Sequence, residues 1–351
     1  MKILLSAHSF FPAIGGLETF ARLLAEYAFQ KGHQIGVVTQ TLANSTGNIF
    51  PFKVLRQPSI FRLISEIQKA DVVVQAQISL KTSWPLLLLR RPWLAIHQVW
   101  LGHHKGNMTG LSRLKRWVCS KADLNITASR ALASDLHFPC KAIWNCYDNT
   151  LYKEETNTER CFDLAFVGRL VSDKGCADLI SSLNDLRQGG LKPRLVVVGD
   201  GPEMLSLKSQ VVSSGLESQV QFQGMCNPEE ISRILNRSRI LVVPSVWAEP
   251  FGIVALEGIA CGCAIIASAD GGLPEAVGPC GVTFPNSDVN ALSSQIRCLL
   301  ETPALIEKFR SSAMGHLAHF QKKVVFDEYL SAFESIYQFQ QNQTTINRRC
   351  S

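Results

Sequence analysis

Trp247-Ala-Glu-Pro-Phe-Gly-Ile-Val-Ala-Leu-Glu257 follows an apolar run, Ile240-Leu-Val-Val-Pro244, that reads as a buried strand. It opens a segment rich in helix formers that stops at Gly262. Glu249 falls in the loop and Glu257 inside the helix. Helical rise over all eight steps would separate them by roughly 12 Å along the axis. Between them lies the helix start, where free N–H groups and the positive dipole end favour an anion. Pro250 needs no N–H there, and Gly252 allows close approach of a ligand. A plain strand–loop–helix turn with a capping acid and a solvated helix glutamate contains the same residues. The rest of the chain has to decide between the two.

A chain of 351 residues exceeds the usual size of one hydrophobic core, so two domains are expected. Hydrophobic residues make up 46% and charged residues 18%, a globular and not a disordered composition. The opening MKILLSAHSF reads as a first strand, not a signal peptide. No apolar run reaches the ~18 residues that span a bilayer; Trp84 to Arg90 is cut by proline and arginine. The eleven cysteines are scattered without metal-ligand spacing, so reduced thiols and a cytoplasmic location are expected, with no metal cofactor. Charge is uneven. Residues 1–150 hold 17 Lys and Arg against 7 Asp and Glu; residues 151–351 hold 18 against 22. The basic half suits an acidic partner: phosphate, anionic lipid or nucleic acid.

From the N-terminus, Lys2–Ser6 reads as a strand. A Gly15-Gly16 loop and an apolar helical pattern to Gln30 follow, then a strand Gln34–Thr39. This is a βαβ unit whose glycine loop is compatible with phosphate, but it is not the GxGxxG fingerprint. Ile60–Lys69 is helical, Ala70–Val74 a strand, and Trp93–His97 a strand ending in histidine. Ligands of open α/β sheets bind at the carboxyl ends of strands, so His97 is well placed. His103 and His104 in the next loop read as ordinary histidines. Leu111–Ser120 is a basic helix containing Trp117. Residues 149–160 are polar and read as a linker. A second α/β series follows. Strands lie near 164–168, 194–198, 219–223, 240–244, 263–267 and 281–284, with helices between them and a last helix over about 321–338. The fold class is therefore α/β, with two Rossmann-like domains of parallel strands facing each other across a cleft. The expected division is 1–148, linker 149–160, 161–320, and a helix 321–338 crossing back to the first domain.

Several strand-end groups of this chain converge on one anion. Arg169 and Lys174 share a loop and can neutralise a diphosphate, the arginine bidentately. N–H groups near Gly252 to Val254 add fixed dipoles, and Gly15-Gly16 closes the site from the other domain. Acid, anion site and acid match the sugar hydroxyls, diphosphate and ribose of a nucleotide-sugar. No Asp-x-Asp occurs, which argues against a metal-held diphosphate.

With these residues in place, the sequence resembles the retaining GT-B glycosyltransferases of family 4, marked by an E-x7-E motif. The matching stretches are 11–39, His97, NCYD (145–148), FVGRLVSDKG (166–175), LVVVGDGPE (195–203), VQFQG (220–224), PSVWAEPFGIVALEGIACGCAIIAS (244–268), ADGGLPEAV (269–277) and GVTFP (281–285). The resemblance implies that Arg169 and Lys174 bind the donor diphosphate and that Glu249 contacts the transferred sugar. It implies that backbone N–H groups from Phe251 through Gly252 and Ile253 to Val254 bind phosphate, and that Glu257 holds the ribose. Gln223, Gly224 and Met225 would approach the base, Gly16 would close over the diphosphate, and His97 would line the sugar pocket. Cys146-Tyr147 depart from the family's usual Asn-Gly turn, and Gln98 replaces its usual Asp or Gly.

The implied activity is a metal-independent, retaining sugar transfer from a UDP- or GDP-sugar to an acceptor hydroxyl, in cell-surface polysaccharide or glycolipid synthesis. A nucleotide-sugar 2-epimerase shares the architecture and would turn over donor without acceptor. A non-catalytic nucleotide-sugar-binding subunit would lack one of the charges, and none is missing. No RRM, KH or finger pattern supports nucleic-acid binding. Arg90, Arg91, Arg113, Lys115, Arg116 and Lys121 with Trp84, Trp93 and Trp117 suit an anionic inner-membrane face.

Overall fold

The computed structural model describes residues 1–13, 15–43, 50–102 and 109–350, with side chains as far as 342. His103 and His104 lie outside these residues. The chain forms two compact units, Met1–Trp144 with Val325–Ser351, and Asn145–Val324.

The first unit runs β1 (Lys2–Ser6), α1 (Gly16–Gln30), β2 (Gln34–Thr39), β3 (Lys53–Arg56), α2 (Ile60–Lys69), β4 (Val72–Gln75), α3 (Leu80–Ser83), β5 (Trp93–His97), α4 (Gly110–Cys119), β6 (Leu124–Thr127), α5 (Arg130–Leu136) and β7 (Lys141–Ala142). Its seven strands pair in parallel in the order β3-β2-β1-β4-β5-β6-β7. Every residue of β4 and β5 is buried, the pattern of strands covered on both faces. Side-chain caps start the helices: Ser59 accepts from Arg62 N, and Thr109 from Ser112 N.

The second unit runs β8 (Phe162–Val167), α6 (Cys176–Gln188), β9 (Leu195–Val198), α7 (Met204–Ser213), β10 (Val220–Gly224), α8 (Pro228–Asn236), β11 (Ser238–Val243), α9 (Ile253–Ala260), β12 (Ala264–Ser268), α10 (Leu273–Val277), β13 (Gly281–Phe284), α11 (Val289–Glu301), α12 (Pro303–Ser311) and α13 (Ala313–Leu317). Its six strands are also parallel, in the order β10-β9-β8-β11-β12-β13. Strand order therefore reverses between β8 and β11, and the loops after those two strands leave the same sheet edge side by side. Residues 149–160, the expected linker, lie within this unit. Asn236 accepts from Glu155 N and donates to Lys153 O, while Arg160 donates to Ser238 O and Cys261 O.

The last helix, α14 (Lys322–Cys350), is longer than its apolar pattern suggests. Its first three residues belong to the second unit and the remainder to the first. Phe326, Tyr329 and Phe333 are fully buried at helical spacing. Phe326 and Tyr329 lie 6.2 and 5.4 Å from the Phe20 ring of α1. Tyr27 donates to Asp327 at 2.6 Å. Burial of each such ring stabilises the unit by about 1.5–3 kcal/mol.

Candidate active site

The loop after β8 carries Arg169 and Lys174. It closes in a 3₁₀ turn, Ser172–Lys174, that Gly175 ends in a left-handed conformation (φ 67°). A Cβ on Gly175 would stand 1.9 Å from Pro244 O, so only glycine lets this loop meet the loop after β11. The two loops are bonded directly: Asp173 O accepts from Val246 N at 2.9 Å and from Trp247 N at 3.2 Å. That contact sets Lys174 Nζ 2.5 Å from Glu249 Oε1, which also accepts from Ser245 Oγ at 2.9 Å. Glu249 is fixed from behind as well, because its carbonyl accepts from Gly272 N at 2.7 Å. Asn286 donates to Ser245 O and Val246 O and accepts from Asp270 N, tying the loops after β11, β12 and β13 together. Arg169 is exposed and makes no ion pair among the described residues.

Gly252, with φ 110°, turns the chain into α9. A Cβ there would meet Leu273 at 2.4 Å. The helix begins only at Ile253, so helical rise accounts for roughly 6 Å, from Ile253 to Glu257, and the residues from Glu249 to Gly252 are not helical. Ala255 N donates to Gly252 O at 3.0 Å, and the N–H groups of Ile253 and Val254 precede the helical bonds of α9. The Phe251 side chain is 2% exposed and packs against Phe320, so only its backbone can face a ligand. Glu257 is half-buried and not solvated. Burial pushes its carboxyl up to about 7, with the nearby Asp148 carboxylate adding to the shift. At the end of β10, Gln223 and Met225 are exposed, and Gly224 is left-handed at φ 73°. Met225 is 82% exposed, an unusual setting for a large apolar side chain.

In the first unit, α1 starts at Gly16, and a Cβ on that residue would meet nothing within 4 Å. The Glu18 carboxylate stands against Gly15. His97 ends β5 and is 2% exposed. Its Nε2 lies 2.9 Å from Asn125 Oδ1, and its Nδ1 is buried without a partner. Burial pulls its pKa down to about 4, the Asn125 bond opposing and Arg116 assisting. The imidazole is therefore neutral at pH 7.

A family model described as glycosyl transferases group 1 matches residues 149–315. This match places residues 149–315 with the group 1 glycosyl transferases. The glycogen synthase of Mycobacterium tuberculosis is 32% identical over 238 residues, covering 63% of this chain and 57% of that one. The D-inositol 3-phosphate glycosyltransferase 1 of Catenulispora acidiphila is 32% identical over 185 residues, covering 50% and 44%. The chain thus spans about half the length of these curated relatives. Among solved structures, Anabaena HepE in complex with UDP superposes with a TM-score of 0.80 at 21% identity, covering 95% of this chain and 100% of that one. The sucrose-phosphate synthase of Thermosynechococcus elongatus gives 0.77 at 20% identity, covering 96% and 99%. These likenesses establish the fold as GT-B, built of two Rossmann-like domains.

Within this group 1 module, the structure brings Arg169, Lys174, Glu249 and the α9 start to one sheet edge. Glu257 lies one helical turn further along. Gln223 to Met225 end β10 on the outer flank of the same sheet. Gly15, Gly16 and His97 sit at strand and helix ends of the first unit. Sequence reasoning missed Ser245, Asn286 and Asn125, which position the named residues. Asn286 had one visible signal, a polar residue directly after the strand-ending Phe284-Pro285.

Proposed function

We propose that the protein is a retaining glycosyl transferase, moving a sugar from a UDP- or GDP-linked donor to an acceptor hydroxyl without a metal ion. The observation that carries this reading is Lys174 paired with Glu249 at the switch point of the second sheet, in the loop that also holds Arg169, which makes no ion pair among the described residues. A diphosphate entering there competes with Glu249 for Lys174 and adds Arg169 and the α9 N–H groups. Glu249, released from the ammonium, then accepts from a hydroxyl of the transferred sugar. Glu257 is assigned to the ribose, and Gln223 to Met225 to the base. Gly15 and Gly16 are assigned to the diphosphate and His97 to the sugar, on the family resemblance.

In the reaction the anomeric C–O bond breaks and its electron pair goes to the β-phosphate oxygen. The acceptor oxygen bonds to the same carbon from the same face, and its proton passes to the leaving phosphate. No protein nucleophile is needed; the cations and N–H groups stabilise the charge that develops on the diphosphate. HepE was crystallised with UDP-glucose, which makes UDP-glucose the first donor to try. The test screens UDP- and GDP-sugars by thermal shift and then by nucleotide release with and without acceptor. A donor that stabilises the wild type but not Lys174→Ala supports the reading. Stabilisation of both alike by every donor removes it.

The exposed face of α4 supports a membrane-proximal role. Leu111, Leu114 and Trp117 form an apolar stripe, each about half exposed, with Lys121 over the Trp117 ring at 5.6 Å and Arg113 beside it. An amphipathic basic helix of this kind suits an anionic bilayer surface. Among the described residues no helix is long and apolar enough to cross a membrane. Cosedimentation with phosphatidylglycerol vesicles should fall on Trp117→Ser and on raising salt; retention under both rejects the surface.

A further inference from the structure

The turn into α9 is held from two sides. On one side stands α10, whose start meets the turn directly. Gly272 N donates to Glu249 O at 2.7 Å, and Leu273 fills the space where a Cβ on Gly252 would fall. On the other side stands Phe320, 1% exposed, whose ring lies 5.8 Å from that of Phe251. Phe320 ends the 3₁₀ turn Ala318–Phe320 that follows α13.

One side chain joins these two supports. His316 lies in α13 and is half-buried. Its Nε2 is 2.8 Å from Ala276 O, near the end of α10. A carbonyl only accepts, so Nε2 carries the ring proton and the tautomer is fixed. Burial lowers the pKa of the ring, with the Ala276 bond opposing and His319 assisting, so the ring is neutral at pH 7. The same ring meets Phe320 edge to face, at 4.8 Å and 60°. Gly278, at φ 49°, leaves room for it, since a Cβ there would stand 2.7 Å from Nδ1. The contacts close on themselves: the turn to α10, α10 to His316, His316 to Phe320, and Phe320 back to the turn. Each member is braced by two others, and what they brace is the backbone that presents the N–H groups of Ile253 and Val254. Donors stabilise an anion well only when they are fixed before it arrives.

We propose that His316 is a positioning residue for diphosphate binding, holding the turn from Glu249 to Gly252 through α10 on one side and Phe320 on the other. Its part in diphosphate binding rests on the donor site of the proposed function; its hold on the turn rests on the contacts alone.

The test uses the full chain and two readouts. The first needs no ligand. In His316→Leu, hydrogen exchange at the Ala255 amide, which bonds to Gly252 O, should quicken about ten-fold, while exchange in α7 stays as in wild type. The second is calorimetric titration with UDP, with pyrophosphate and uridine as competitors that stand for its two halves. His316→Leu should weaken UDP and pyrophosphate about ten-fold and leave uridine within about two-fold. His316→Gln, which keeps a donor for Ala276 O, should recover most of both losses. Phe320→Leu removes the ring contact from the other side and should reproduce the pattern of His316→Leu, which guards against poor folding of either variant. A merely structural role would lower the melting temperature and weaken both halves of UDP alike. Exchange and UDP affinity unchanged in both leucine variants, or equal losses for pyrophosphate and uridine, overturn the proposal. The two levels fail separately. Quickened exchange at Ala255 in the variants, with neither UDP nor GDP bound by wild type, removes the donor reading alone. Nucleotide bound by wild type, with exchange and affinity unaltered in the variants, removes the role of His316 alone.

Discussion

The strand ends of the two units handle polarity in opposite ways. In the second unit the charged and polar groups are already bonded to one another: Lys174 to Glu249, Ser245 to Glu249, and Asn286 to the loops after β11 and β12. In the first unit, among the described residues, His97 Nδ1 has no hydrogen-bond partner and Lys115 makes no ion pair. The difference follows from what each can leave unpaired. A carboxylate and an ammonium drawn from one sheet edge neutralise each other, and on the proposed function a strong anion is what displaces the pair. A neutral imidazole held by Asn125 keeps its lone pair for a weaker, uncharged donor. Burial acts on both units by disfavouring charge, but with opposite effect on pKa: Glu257 is pushed up to about 7 and His97 down to about 4.

The largest test of this contrast is removal of the second unit's cations. Lys174→Ala and Arg169→Ala should each lower turnover at saturating donor by about 10²–10³-fold, the scale for loss of one charge-stabilising donor. Near-wild-type rates in both would break the comparison. Glu249→Gln should follow, chiefly through misplaced sugar, with a loss in kcat larger than the rise in KM. Gly16 comes next. Because a Cβ there meets no protein atom, Gly16→Val should melt within about 1 kcal/mol of wild type. Any loss of transfer in that variant, expected to be about ten-fold, then measures crowding of a ligand and not damage to the fold.

Smaller effects come from the two shifted groups, through pH. Glu257 has a raised native pKa, so the folded state holds the extra proton between the usual carboxylate range and about 7. Its contribution to stability is fully present below about 4.5 and is lost as pH rises through 7. Glu257→Gln should therefore raise the unfolding free energy at pH 8 but not at pH 4.5, by on the order of 1–2 kcal/mol, read from denaturant titrations. The same change should weaken nucleotide binding at pH 8. His97 has a lowered native pKa, so its contribution is present above 6.5 and lost as pH falls toward 4. NMR of the imidazole should show no titration between pH 5.5 and 8. A midpoint near 6.5 would mean the ring is solvated and its partnership with Asn125 wrong.

Much of the fold is legible because parallel strands buried on both faces leave unbroken apolar runs. Lys2–Ser6, Gln34–Thr39 and Trp93–His97 occupy the strands their composition predicts. Glu249, Arg169 and Lys174 are recognisable because strand-end loops carry few charges by chance. The ion pair between Lys174 and Glu249 is not legible, since it depends on two loops 75 residues apart meeting through Gly175 and Pro244. Asn125 reads as a mid-strand polar residue until its amide is seen between His97 and Cys119. Residues 149–160 look like a linker because composition reports solvation and not backbone bonding, and Asn236 and Arg160 provide the bonding. The end of α14 is misjudged for a related reason. Beyond 338 it loses its apolar period, although helical hydrogen bonding continues.

The path of α14 has a practical consequence for cutting this chain. The second unit is one uninterrupted segment, whereas the first is assembled from both ends of the polypeptide. A fragment of residues 145–324 would keep its own core and is the piece to express for nucleotide-binding measurements. A fragment ending at Trp144 would expose the faces of Phe20 and Tyr27 that Phe326 and Tyr329 cover. It would aggregate unless residues 325–342 were supplied, either as a peptide or fused through a short tether to bring the two ends together.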